Sequence, residues 1–458
     1  MFFEVSVNLI SRKQSPDTRI PRVTTTLGEA DRRRDAWIPM EKTRQELVAK
    51  ATCPPGSYKP DLDMLTMPGI LLDEEFEDEI GEPIVLCCRE ARDNCNKTKN
   101  FNLTPNERRL KELIQIGAYG AAINHTAMLL SLQGQGRGRQ GCQTVHTPQT
   151  LHLWYIRLTM LIKIKSLAVA QAEAQPFSQL EKPDIFYQYY PEVYGTRTGS
   201  MASFSFRLLL AELPMHCGKP KESLRRLFSA WAAIKKMLNN LRQGLCEDGS
   251  SAIELSELDR TESLKFWMSR EAKVIYSIIN CACVVKDYGL AMELLSHLNE
   301  REDAPKHILL SALGRLNLQT GNIAGAEICF NEAYLYGSSG VRELVDRGLL
   351  AVAQNNFEEA CACFQRANAL EPSNVMILNN LGVSLYHDGR LQEAIQVIEA
   401  TISSHPVDTL PESLILNLCS LYDLQSSKKG IMRKFALLRQ ISKYSADAPT
   451  TILEKLYG

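Results

Sequence analysis

Histidine is scarce in this 458-residue chain: there are eight, and none pairs with cysteine at the short spacings that hold zinc. Net charge is almost absent as well, at −1, which excludes whole-chain steering onto nucleic acid or an acidic membrane. No uninterrupted apolar run approaches the ~18 residues a membrane-crossing helix needs. The nearest, 154–170, is broken by Arg157, Lys163 and Lys165. Residues 1–10 are largely apolar and the basic Arg12 and Lys13 come only after them, the reverse of a secretory signal. The glycine-rich stretch 134–141 has no Walker lysine and follows no strand, so it is expected to be a flexible insertion rather than a phosphate cradle. The thirteen cysteines lack the spacing of a secreted disulfide framework. Cys281 and Cys283, like Cys361 and Cys363, fall roughly 200° apart on a helix, so burial as small hydrophobes is expected rather than a shared metal. No catalytic residue, metal, cofactor, nucleic acid or small-molecule substrate is expected, and the chain reads as cytosolic and reduced.

What is present is a period. Gly314, Gly348 and Gly382 lie 34 residues apart, as do Ala326, Ala360 and Ala394, and Phe330, Phe364 and Ile398. Leu310, Leu344 and Leu378 keep the same step, and so do the left-handed-tolerant residues Gly321, Asn355 and Gly389 between the halves of each unit. Small residues let the first helix of a unit approach the second, while Leu, Phe and Ile fill the space around the contact. Pro372 and Pro406, again 34 apart, stop each second helix. This pattern resembles the tetratricopeptide repeat. The expected fold is all-α: a tetratricopeptide-repeat-like α-solenoid with an extended, mostly irregular N-terminal arm.

Four stretches are expected. Residues 1–103 hold eight of the twenty prolines, a basic cluster (Arg32, Arg33, Arg34) and an acidic run at 73–79. They read as an extended or disordered partner-binding arm. Its apolar islands around Trp37, Ile38 and Leu71, with Phe76 in the acidic run, either anchor in a partner's pockets or dock back on this chain. Residues 104–306 read as irregular helical-hairpin repeats with loop insertions, opening on Thr104 as an N-cap and including one long helix over 151–174. Residues 307–406 form three regular repeats, and 407–458 supply capping helices.

In a tetratricopeptide array the first helices line a groove, where the repeat phase places Arg315, Arg342, Asp346, Asn379 and Tyr386 as candidate partner-binding residues. The alternative is a merely solvated inner surface. Co-chaperone members of that family clamp a partner's terminal carboxylate with lysine and asparagine. Here the corresponding positions are Ser311, Arg315, Met376 and Asn380, a departure that argues against such a clamp.

Outside the periodic positions, Trp37-Ile-Pro39, Cys53-Pro-Pro-Gly56, Tyr187-Gln-Tyr-Tyr-Pro191, Gly199-Ser-Met201 and Lys286-Asp-Tyr288 make the chain similar to the subunit-12 family of the transport protein particle (TRAPP), a tethering complex of the early secretory pathway. The resemblance implies a non-catalytic scaffold of its third form, TRAPP III, linking peripheral subunits to the core in ER-to-Golgi transport and autophagy. It implies other TRAPP subunits as partners, a Rab GTPase reached indirectly, and membrane only peripherally, at the ER–Golgi intermediate compartment and Golgi. A generic tetratricopeptide adaptor for another complex remains the alternative, and an enzyme with an unrecognised site in 104–240 a more distant one.

Overall fold

The computed structural model describes residues 29–54, 57–72, 105–178, 180–251, 256–302, 304–337, 340–404, 412–425 and 427–444. Thr104, Phe76 and Pro406, singled out above, lie outside them. Helices dominate: α1 (Glu29–Asp35), α2 (Glu41–Thr52), α3 (Pro105–Ile116), α4 (Tyr119–Leu132), α5 (Pro148–Lys163), α6 (Leu167–Ala174), the short α7 (Pro191–Tyr194), α8 (Phe204–His216), α9 (Pro220–Arg242), α10 (Glu257–Val284), α11 (Tyr288–Asn299), α12 (Lys306–Gln319), α13 (Ile323–Leu335), α14 (Gly340–Ala353), α15 (Phe357–Leu370), α16 (Val375–His387), α17 (Leu391–Ser404), α18 (Glu412–Asp423) and α19 (Ser427–Tyr444). Among the described residues there are isolated bridges but no strand, and no helix is long and apolar enough to cross a membrane. The fold is an all-α solenoid of the tetratricopeptide class. It divides into two compact units, one of the described residues up to 72 and 119–286, the other of 105–118 and 287–444.

In the first unit, local sequence explains three of the helix starts. Thr147 and Thr150 form a reciprocal capping box ahead of α5, with Pro148 in the first turn. Ser203 and Ser256 cap α8 and α10 by accepting from backbone amides three residues on. Helix α9 packs on both α8 and α10, and α5 on α4, α6 and α8. The long helix expected over 151–174 is two helices, because Lys165 adopts φ +60° and turns the chain between α5 and α6. The arm, expected to be extended and mostly irregular, contributes α1 and also α2, which buries Thr43 and Leu47.

In the second unit, the 34-residue step becomes three hairpins: α12 with α13, α14 with α15, α16 with α17. Each hairpin turns at a left-handed residue, Gly321 (φ +80°), Asn355 (+59°) or Gly389 (+85°). Asn322 and Asn356 then cap the first two second helices by accepting from the amides of Gly325 and Glu359. Phe330, Phe364 and Ile398 lie directly over Gly314, Gly348 and Gly382. A methyl added at Gly348 would come within 2.7 Å of the Phe364 ring, so the ring occupies the space a side chain would need. Ala326, Ala360 and Ala394 are wholly buried beside these contacts. Gly348→Leu is expected to destabilise the second unit by about 1–3 kcal/mol through overpacking, read as a lower urea midpoint. Restoration of the midpoint by a second change, Phe364→Ala, checks that this contact is the cause.

Candidate functional site: the seat of the arm and the inner face of the repeats

The first unit closes around the arm. Trp37 is 7% exposed, and its indole nitrogen donates to Glu181 Oε1 at 3.0 Å. The same oxygen accepts from Arg207 at 2.8 Å, and the Arg207 guanidinium lies 3.9 Å from the Trp37 ring centroid. Burial pulls Arg207 down to about 10 against the opposing Glu181 charge, so it still carries its proton at neutral pH. Asp35, two residues before Trp37, pairs with Arg197, which itself lies over the Tyr187 ring at 4.2 Å. The Asp35 carbonyl accepts from Ser200 N at 2.7 Å and passes so close to Gly199, at φ +103°, that a Cβ there would meet it at 2.4 Å. Arg270 donates to the Arg34 carbonyl at 3.0 Å. Thr43 and Lys50 of α2 donate to the carbonyls of Glu181 and Tyr189.

Further along the arm, the Thr66 amide and hydroxyl donate to Asp184 Oδ2 at 2.8 and 2.6 Å, and His146 Nε2 touches the same hydroxyl. Ile70 N reaches the Gly136 carbonyl, Gly141 N reaches that of Met67, and Arg137 Nε reaches that of Leu72. The glycine-rich loop is therefore clasped by the arm, against the expectation of a flexible insertion. Glycine is needed at 69, where a Cβ would lie 2.2 Å from Gln140 N. Leu71 N donates to Glu173, which forms a fully buried bidentate pair with Arg157. Of the apolar islands, Trp37 is thus turned inward, Ile38 is half-buried, and Leu71 stays 36% exposed. The docking-back alternative holds for Trp37.

The inner face of the repeats is less open than its phase suggests. Asp346 is wholly buried, accepting from Ser311 Oγ at 2.6 Å and Arg315 Nε at 2.9 Å. Burial pushes its carboxyl up, opposed by Arg315. Asn379 is also wholly buried and accepts from Asn417 at 2.9 Å. Arg342 sits beside the pair, lowered by burial and by the charge of Arg315. Tyr386 packs half-buried on the core, next to His387, whose ring stacks on Phe357. As groove-lining contacts, Asp346 and Asn379 need correction: α12 touches α14 and α16 touches α18, and these side chains bridge the two pairs. Arg315 is committed to the Asp346 bridge, and Asn380 is wholly buried, accepting from its neighbour Asn379 at 3.5 Å.

Among the described residues no cluster of three or more His, Cys, Asp or Glu could hold a metal. Cys281 is buried and donates to the Pro220 carbonyl, and burial pushes the Cys361 thiol up to about 11. Glu181, Arg207, Asp35 and Arg197, central to the seat, carry no sequence signal, since their partners lie more than a hundred residues away or across irregular turns.

Trp37→Ala is expected to destabilise the first unit by about 3–5 kcal/mol and to raise hydrogen exchange over 29–54 while α12–α17 keep their protection. Burial also holds His146 below the usual histidine value, against the pull of Asp184. The unfolded chain takes up a proton near pH 6.5 that the folded one refuses until lower pH, so stability is full above that pH and falls below it. Urea melts of His146→Gln should show a shallower loss between about pH 6.5 and 5 than the parent chain.

The tetratricopeptide repeat family matches residues 345–408. Over 440 residues the chain is 36% identical to the human Trafficking protein particle complex subunit 12, covering 94% of this chain and 59% of that protein. The mouse protein of the same name is likewise 36% identical, over 94% of this chain and 55% of its own length. The chain thus spans a little more than half of these curated relatives. Yeast Tom70, 12% identical with a TM-score of 0.33 over 74% of this chain and 77% of its own, is too loose a likeness to carry an argument.

Proposed function

From its 36% identity to trafficking protein particle complex subunit 12 over 94% of its length, we propose that the chain belongs to that family and is a non-catalytic scaffold subunit of that complex, in its third form, joining peripheral subunits to the core during ER-to-Golgi transport and autophagy. The observation that carries this reading is the 36% identity over 94% of the chain. The seat supports it: Trp37, Tyr187, Gly199 and Ser200, which carried the resemblance, meet in one buried arrangement. Those residues build the fold, so partner binding falls to side chains that remain outside. Ile328, Leu335 and Leu370, on the second helices of two repeats, are 60%, 85% and 58% exposed and suit apolar contact with neighbouring subunits. On this reading nucleotide exchange on a Rab GTPase is the work of other subunits, and the chain reaches ER–Golgi and Golgi membranes through the assembly. Tagged full-length chain expressed in cells should co-purify with TRAPP core subunits in stoichiometric amount. A preparation that brings down no core subunit overturns the proposal, and a different complex in its place would make the chain a generic adaptor.

A further inference from the structure

A cavity of about 480 Å³ opens in the first unit, lined by Lys50 and Tyr58 of the arm, Thr144 of the segment before α5, and Asp184, Tyr189 and Tyr190. Two polar atoms buried at its wall have no hydrogen-bond partner: Asp184 Oδ1, on a residue 2% exposed, and Thr144 Oγ1. Asp184 is satisfied on one side only, its other oxygen accepting twice from Thr66. A carboxylate oxygen kept from water and from donors is costly, and cationic donors relieve that cost best.

The rest of the lining favours the same charge. Tyrosine faces attract cations. The cavity already shows this, with the Lys50 ammonium 3.6 Å from the Tyr189 centroid and 5.4 Å from that of Tyr190. Tyr58 donates to Glu46 at 2.8 Å, and the Glu192 charge acts on Lys50, so two further carboxylates interact with lining side chains. Behind Asp184, His146 is buried and held neutral, and Lys182 is turned to the Leu65 carbonyl. A planar guanidinium can donate to Asp184 Oδ1 and Thr144 Oγ1 while resting on a tyrosine face, which a compact ammonium does less well.

We propose that this cavity binds an arginine side chain presented by a partner polypeptide, with Asp184 as its counter-ion and Lys50 as the resident cation it competes with. The site does not depend on which complex the chain serves. The test titrates the full-length chain with N-acetyl-arginine amide and, as a neutral isostere, N-acetyl-citrulline amide, followed by ligand-observed NMR. The arginine probe should bind saturably and at least ten-fold more tightly than the citrulline probe. Asp184→Asn should weaken it ten-fold or more. Since Asp184 also holds Thr66, the second variant is Lys50→Met, which leaves that bond in place and should tighten binding several-fold by removing the competing ammonium. Equal binding of the two probes, an unchanged affinity in Lys50→Met, or no saturable binding by folded protein overturns the proposal.

Discussion

A guanidinium shut away from water sets the terms for the first unit. Arg207 is 6% exposed, and a buried charge is tolerable only where its donors are met. Glu181 supplies the counter-charge and the Leu180 carbonyl a further acceptor, while the Trp37 ring covers the guanidinium face. Trp37 in turn depends on the Glu181 oxygen that Arg207 uses. The three groups form a closed set, so losing one strands the others. That mutual dependence is why a proline-rich segment with little apolar content holds one position on a helical body.

The second unit is organised otherwise. Its close contacts are between a glycine backbone and an overlying Phe or Ile, repeated three times with no charge involved. Polar side chains enter between hairpins, where Asp346 ties α14 to α12 and Asn379 ties α16 to α18. Apolar packing is tolerant of direction, whereas hydrogen bonds are not. Asp346 and Asn379 therefore fix how one repeat sits on its neighbour, a role compatible with scaffolding.

What was legible in the sequence was what repeats. Gly314, Gly348 and Gly382, the turns at Gly321, Asn355 and Gly389, and the helices between them follow from local spacing and backbone preference alone. The break at Lys165 was not legible, because a lysine gives no sign that its backbone turns left-handed. Nor was the seat, whose pairs join Trp37 to Glu181 and Asp35 to Arg197 across 144 and 162 residues. The inner face was misread in part. Repeat phase tells which helix a residue lies on and which way it faces, but α12 meets α14 and α16 meets α18 there, and Asp346 and Asn379 fall at those contacts.

The seat also has a clock in it. Trp37 leaves the ribosome well before its partners Glu181, Arg207 and Trp267, the last of them 6.5 Å away in the finished fold. At about 5–20 residues per second, roughly 10–50 s pass between synthesis of the tryptophan and completion of its pocket. During that interval the arm has an exposed indole and nowhere of its own to put it. Docking of the arm therefore waits on synthesis of most of the first unit, an order of events set by the sequence distance between Trp37 and its pocket.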